Sequence, residues 1–180
     1  GGADAAINKI ILLLRLPRVL LAIIAGAGLA LAGALMQSVT RNYLVSPFTL
    51  GISSAAALGT SLCIVLAAGT ALDSDLGIIT SAFLLSCACG LIVYGIAQRS
   101  GLSPTTIVLV GIALNYFFSA LTATLEFFAQ EHKLAAVIQW TFGSLHRASW
   151  EYVAIGGVIV ALGLAAALFY ALPLNVMAVS

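Results

Sequence analysis

The sequence predicts an all-helical bundle that crosses a membrane several times, and two observations support this fold class. The chain of 180 residues is 62% hydrophobic and only 7% charged, with a mean hydropathy of +1.17, far from the averages of soluble domains. Its charged residues leave five uncharged runs, namely 19–40, 42–72, 76–98, 100–125 and 152–180. Each run is long enough to cross the roughly 30 Å hydrocarbon layer, for which a helix needs about 20 residues.

The first two predicted spans cover residues 17–39 and 46–70. Pro17 and Pro47 each suit the first turn of a helix, where the missing N–H of proline costs little. The first span ends before Arg41, and the second ends before a turn that contains two aspartates. Helices are favoured over strands because an open strand in hydrocarbon would leave its backbone groups unpaired.

The next two predicted spans cover 76–98 and 104–129. The turn sequence Arg99-Ser100-Gly101 separates them, and Pro104 suits the first turn of the fourth span. The fifth predicted span covers 149–171.

A longer connection, about 130–148, precedes the fifth span. It holds a short apolar segment near 134–142, which we expect to form a helix lying at the membrane interface. Trp140 and Trp150 are expected at headgroup depth, where tryptophan is enriched.

Small residues recur every four positions in three spans, which predicts close helix packing where lipid provides no hydrophobic drive. The lines are Ala22, Gly26, Ala30 and Ala34; Gly51, Ala55 and Gly59; and Gly157, Ala161 and Ala165.

The fourth span carries a polar stripe: Gly111, Asn115, Ser119, Thr122 and Glu126. Spacings of three and four place these residues on one helix face. Polar groups are costly against lipid, so the face should look inward. It faces either a water-filled path or a neighbouring helix, and the stripe alone does not choose between them.

Other classes of function are disfavoured. Seven basic and six acidic residues give no nucleic-acid surface, and we expect no nucleic-acid partner. Cys87 and Cys89 point to different helix faces, a poor geometry for a metal, and no metal or cofactor site is predicted. An intramembrane serine protease would need a glycine after Ser53-Ser54, where Ala55 stands, and a glycine-rich phosphate loop is missing from the sequence.

A set of ordered motifs resembles one transporter family, the FecCD-like permeases of binding-protein-dependent ABC importers for ferric siderophores, haem and cobalamin. Residues 15–59 carry most of them: Arg15-Leu16-Pro17-Arg18, Gly33-Ala34 with Gln37, Arg41-Asn42, Pro47, and Leu50-Gly51 with Gly59. Residues 109–114 are similar to the family's fifth helix, and 140–145 to the segment after it.

The sequence departs from the family pattern in two places and in length. Asn42 is followed by Tyr43-Leu44-Val45 where the family usually has Pro-Leu-Ala, and Ser54-Ala55 replaces Gly-Ala. Family members have about ten spans, so residues 1–180 resemble a partial permease domain, the N-terminal half.

The resemblance implies a transport subunit without enzymatic activity, in the bacterial cytoplasmic (inner) membrane. It would move an iron chelate, haem or a corrinoid with three partners: a second permease subunit, an ATP-binding cassette ATPase and an external substrate-binding protein. Asn115, Ser119 and Thr122 would line the translocation pathway. Arg15 and Arg18 would dock acidic groups of the binding protein, since Arg pairs bidentately with carboxylates. The alternative role for the arginines is anchoring to lipid headgroups.

Two further alternatives stay open. A channel or secondary carrier uncoupled from ATP would have similar helices, and a non-transporting scaffold would tolerate changes in the stripe. The family orientation places residues 1–17, 71–75 and 130–148 outside, and it places 40–46, 99–103 and the C-terminus in the cytoplasm. A positive-inside count favours the reverse, because five of the seven basic residues, Lys9, Arg15, Arg18, Lys133 and Arg147, would then lie outside. We follow the resemblance, because docking of a binding protein requires an external basic surface.

Overall fold

A computed structural model describes residues 7–66, 74–145 and 148–170, and these residues form helices without any strand. The helices are α1 (Ile7–Thr40), α2 (Ile52–Leu66), α3 (Asp75–Arg99), α4 (Pro104–Phe128), α5 (Glu131–Phe142) and α6 (Trp150–Phe169). The predicted all-α class is confirmed. The chain divides into two compact units, one built on α1 and α6 and the other on α2 to α5.

Within the described ranges, α1, α3, α4 and α6 are each long and apolar enough to cross a membrane, by length and composition. The described part of α2 has 15 residues, fewer than the about 20 that a full span needs. It begins at Ile52 instead of the predicted 46, because residues 47–51 form successive turns. Residues 67–70 and 171, which belong to predicted spans, lie outside the described part of the chain.

Helix α1 corrects the expectation for Pro17, which lies inside a continuous helix and not in its first turn. The five residues before Leu16, Ile11–Arg15, form a π segment, in which the Leu16 N–H donates to the Ile11 carbonyl. Proline removes one helical donor, and its ring clashes with the preceding turn of an α-helix. The wider π turn makes room for the ring, so the helix continues past Pro17. Pro104, by contrast, lies at the start of α4 as predicted.

The first unit is held by close contacts between α1 and α6, which run parallel. A methyl group placed on Gly28 would lie 3.1 Å from Cγ2 of Val160, and one on Gly156 would lie 3.3 Å from Cγ2 of Ile24. Gly26, on the small-residue line predicted for α1, has no such neighbour within 4 Å. The contact therefore uses glycines opposite branched side chains, and the predicted line through Gly26 faces away from α6.

The second unit is built around α2, which packs against α3, α4 and α5. Its core contains Ala55 and Leu58 of α2, Cys89 and Val93 of α3, and Phe118 of α4. Gly59 lies directly on the backbone of α3, because a methyl group there would be 2.5 Å from the Ser81 carbonyl oxygen. The predicted close-packing line of α2 is confirmed at Gly59.

Helix α5 covers the predicted 134–142 segment and begins earlier, at Glu131. Its Val137 is fully buried, and its Lys133 Nζ donates to the backbone carbonyl of Val65 at 2.8 Å. Val65 belongs to the last described turn of α2, and a cationic side chain forms a charge-assisted hydrogen bond with a backbone carbonyl. Lys133 therefore ties α5 to the last described turn of α2.

Replacing Lys133 by methionine should lower the stability of the second unit by about 1 kcal/mol, because the Val65 carbonyl loses a charged donor. Thermal unfolding of the purified protein in detergent would show a reduced Tm. Lys133→Arg is the control, because it keeps a cationic donor on a long stem. An unchanged Tm in Lys133→Met would contradict a stabilising role for the Lys133–Val65 hydrogen bond.

Candidate translocation and docking sites

The polar stripe of α4 is placed unevenly by the structure. Gly111 and Thr122 are buried, Asn115 is half-buried and Ser119 is exposed. The stripe is therefore buried at some positions and accessible at others. These four residues divide into a packed pair and a more accessible pair, and the fifth residue of the stripe, Glu126, is half-buried.

Gly111 and Asn115 lie against the turns that precede α2. A methyl group on Gly111 would be 2.7 Å from Cα of Leu50, and one on Gly51 would be 2.9 Å from the backbone nitrogen of Asn115. Gly51 also has a φ of +78°, a conformation that favours glycine. Two glycines thus let the backbone of residues 50–51 touch the backbone of α4 at the level of Asn115.

The start of α2 is recessed within its unit. Gly51 lies beside Gly111, one to two turns along α4 from Pro104, which corresponds to about 10 Å at 1.5 Å per residue. On the other side, Leu50 meets Cys89, about 15 Å along α3 from Arg99 by the same measure. The turns before α2 therefore lie inside the helical layer. Non-helical backbone at membrane depth is tolerated where protein buries it or where it lines a water-filled cavity.

Side chains satisfy the backbone at this recessed start. The Ser54 hydroxyl donates to the Gly51 carbonyl at 2.9 Å, and the Ser86 hydroxyl donates to the Ile52 carbonyl at 3.2 Å. The Cys89 thiol donates to the Leu50 carbonyl at 3.5 Å. Three successive carbonyls thus accept side-chain donors, which supports a fixed turn at depth.

The three predicted pathway residues differ in what their side chains do. The Thr122 hydroxyl donates to the Phe118 carbonyl of its own helix at 3.0 Å and is buried. The hydroxyl group of Thr122 is therefore hydrogen-bonded within α4 and is not available to a ligand. Ser119 presents its side chain outside the packed core of that unit, and Asn115 lies between these two environments.

The predicted docking residues lie together near the start of α1. Arg15 is the last residue of the π segment and is exposed, whereas Arg18 lies one turn further along the helix and is half-buried. The structure brings these two residues together on one helix. The stripe belongs to the other compact unit.

Sequence reasoning missed the recessed turn at 46–51, the hydrogen bond from Lys133 to Val65 and the close approach of Gly111 to Leu50. The paired glycines were visible in the sequence, but a contact between two of them requires the relative register of α2 and α4. The Lys133 contact joins residues 68 positions apart, and no local pattern predicts such a pair.

The whole chain, residues 1–180, matches the FecCD transport family. A Helicobacter pylori protein named as a probable iron chelatin transport system permease protein is 37% identical over 159 residues, which cover 88% of this chain and 47% of that protein. The cobalamin import system permease protein BtuC of Halobacterium salinarum is 32% identical over 177 residues, which cover 98% of this chain and 47% of that protein.

A solved structure has the same fold. It is described as "An inward-facing conformation of a putative metal-chelate type ABC transporter", and it matches with a TM-score of 0.84 and 32% identity. The match covers 96% of this chain and 54% of that chain. The chain thus spans about half the length of these relatives.

Proposed function

Since this chain belongs to the FecCD transport family, we propose that it forms half of the permease subunit of an ABC importer in the cytoplasmic membrane. The proposed cargo is an iron chelate, haem or a corrinoid. The observation that carries the proposal is the family match over every residue of the chain, and the relatives named for iron chelatin and cobalamin import support it.

In the proposed mechanism, two permease subunits enclose a central pathway. A separate ATPase drives the alternation between outward and inward access, and an external binding protein delivers the cargo. This chain contributes no catalytic group. Its contribution is a pathway face on α4 and a basic surface on α1.

The pathway face is proposed to consist of Asn115, Ser119 and Thr122. Asn115 and Ser119 offer polar side chains that are accessible from outside the packed core, and their hydrogen-bonding groups suit a large polar cargo. Thr122 is proposed to shape the pathway by its volume, because its hydroxyl is already bonded within α4. The glycine contacts at Gly51 and Gly111 support this face by holding α4 against a buried turn.

Loss of ATP hydrolysis in the partner subunit distinguishes the proposed ABC importer from the alternative, a channel or secondary carrier that is not coupled to ATP. Uptake of radiolabelled ferric siderophore or cobalamin would be measured in proteoliposomes that contain the complete transporter, with wild-type ATPase or with an ATPase that binds but does not hydrolyse ATP. Uptake should vanish with the inactive ATPase. Uptake that persists would favour a channel or a secondary carrier and would refute the proposal.

Reversing the charge of the docking residues should weaken the binding protein's attachment. In Arg15→Glu with Arg18→Glu, acidic groups of the partner would meet like charge, so the affinity should fall by about tenfold or more. A pull-down or surface-binding measurement with the reconstituted permease would report it. Arg99→Glu is the matched control, because Arg99 is an exposed arginine at the end proposed to face the cytoplasm.

If the double variant, the control and the wild type bind the binding protein with equal affinity, Arg15 and Arg18 do not take part in docking. This result would favour the alternative, in which the two arginines hold lipid headgroups.

A further inference from the structure

The π segment of α1 leaves one carbonyl without a donor from its own helix. In a regular α-helix, the Leu12 carbonyl would accept from the N–H of Leu16. Here the Leu16 N–H donates to Ile11 instead. The next donor along a π ladder would be residue 17, which is a proline and has no N–H. Both intrahelical donors that could reach Leu12 are therefore lost.

A side chain of α6 supplies the missing donor. The indole Nε1–H of Trp150 donates to the Leu12 carbonyl at 3.1 Å. Indole nitrogen is a donor only, so it matches an orphaned carbonyl. Trp150 is the first residue of α6, and the Ser149 hydroxyl caps that helix by accepting from the Tyr152 N–H at 3.4 Å. The donor is thus presented from a capped helix end.

We propose that Trp150 is a positioning residue for the basic docking surface. Its indole N–H replaces the donor that Pro17 lacks and fixes the π segment whose last residue is Arg15. Arg18 follows one turn later, beyond Pro17, so both guanidinium groups extend from backbone that this one hydrogen bond holds in place. The inference rests on the proposed docking of an acidic binding protein by Arg15 and Arg18.

The Leu12 carbonyl needs the Trp150 donor because Pro17 has no N–H, and substitutions at these two positions can test this dependence. Trp150→Phe removes the donor and keeps an aromatic ring. Pro17→Ala restores a backbone N–H that can reach the Leu12 carbonyl. Trp150→Phe should therefore lower the affinity for the binding protein when Pro17 is present. In the Pro17→Ala background the same change should leave the affinity nearly unchanged.

Two measurements on the complete transporter in lipid nanodiscs would be made for the wild type, both single variants and the double variant. The first is the affinity for the binding protein. The second is hydrogen exchange of the backbone amides at 11–18. Trp140→Phe is the matched control, since it removes an indole N–H from α5 in the other compact unit.

The expected result is a loss of binding-protein affinity of about fivefold for Trp150→Phe beside Pro17, with faster exchange at 11–18. In the Pro17→Ala background the same change should alter the affinity by less than about twofold. If Trp150→Phe alone fails to insert in the membrane, recovery of insertion in the double variant is the supporting result.

An equal loss in both backgrounds would overturn the inference, because it would show that the ring acts only by packing. No loss in either background would also overturn it, as would a change in exchange without a change in affinity. Failure of the docking function itself is recognised separately, since Arg15→Glu with Arg18→Glu would then leave affinity unchanged.

Discussion

Replacing Gly59 by alanine should destabilise the second unit by about 3 kcal/mol, the largest loss of stability that we expect from adding one methyl group. The added carbon would lie 2.5 Å from the Ser81 carbonyl oxygen and 3.0 Å from Cα of Ala82. Both neighbours are backbone atoms of α3, so no side chain can rotate to make room. Relief requires α2 and α3 to separate, which would also disturb Ala55 and Leu58 in the core.

Gly90→Ala is the matched control on the partner helix. Gly90 lies in α3, and nothing would come within 4 Å of a methyl group placed there. Alanine is favoured over glycine in helix interiors, so this variant should be as stable as the wild type or more stable by about 0.5–1 kcal/mol. Thermal unfolding of both variants in detergent would check the pair. Equal Tm values for Gly59→Ala and Gly90→Ala would contradict the close α2–α3 contact.

Blocking the accessible part of the stripe should reduce transport by about tenfold or more, equivalent to about 1.4 kcal/mol on the limiting step. Ser119→Phe adds a bulky apolar group at an exposed position, and Asn115→Leu removes the polar group of the half-buried one. Neither change fills a packed site, so folding and binding-protein docking should be preserved. ATP-driven uptake in proteoliposomes, normalised to the amount of inserted protein, is the measurement.

Two comparison variants separate a pathway from a packing face. Tyr116→Leu lies beside Asn115 in sequence at a position that is 73% exposed, and it should leave uptake within about twofold of the wild type. Thr122→Val removes a hydroxyl that is bonded within its own helix and should also leave uptake nearly unchanged. Normal uptake in both Ser119→Phe and Asn115→Leu would favour the non-transporting scaffold.

The sequence predicted the helical class well, because its physical cause is local. Long uncharged runs and turn residues determine where helices can lie, and Pro104 begins α4 because a first-turn proline loses no hydrogen bond. The same rule misplaced Pro17, which lies inside a helix, and Pro47, which lies in the turns before α2. The missing donor of Pro17 is compensated by a π turn before it and by Trp150, which lies 138 residues away from Leu12 in the sequence.

The packing faces could be predicted only in part. The line through Gly59 is used because α3 runs against α2, whereas Gly26 in α1 is bypassed and Gly28 is used instead. Both lines have the same spacing, so the choice depends on the neighbouring helix and not on the sequence of α1. The recessed start of α2 was missed for a similar reason, since its turn depends on donors from Ser86 and Cys89 in α3.

Spacing correctly placed the stripe on α4, but it could not give the depth at which each side chain is buried. Thr122 and Ser119 lie close on one face, yet the first is buried and the second is exposed. The difference arises from the packing of α4 within its unit. The assignment of these residues to a pathway stays a prediction.

Thiol accessibility at Ser119 tests the central claim most directly. The native cysteines Cys63, Cys87 and Cys89 would first be replaced, and Ser119→Cys or Tyr116→Cys would then be introduced into the complete transporter. A membrane-impermeant, water-soluble thiol reagent should modify Ser119→Cys faster than Tyr116→Cys, and a change in the nucleotide state of the ATPase should alter that rate. Modification of Ser119→Cys no faster than that of Tyr116→Cys, in every nucleotide state, would show that α4 faces no aqueous pathway.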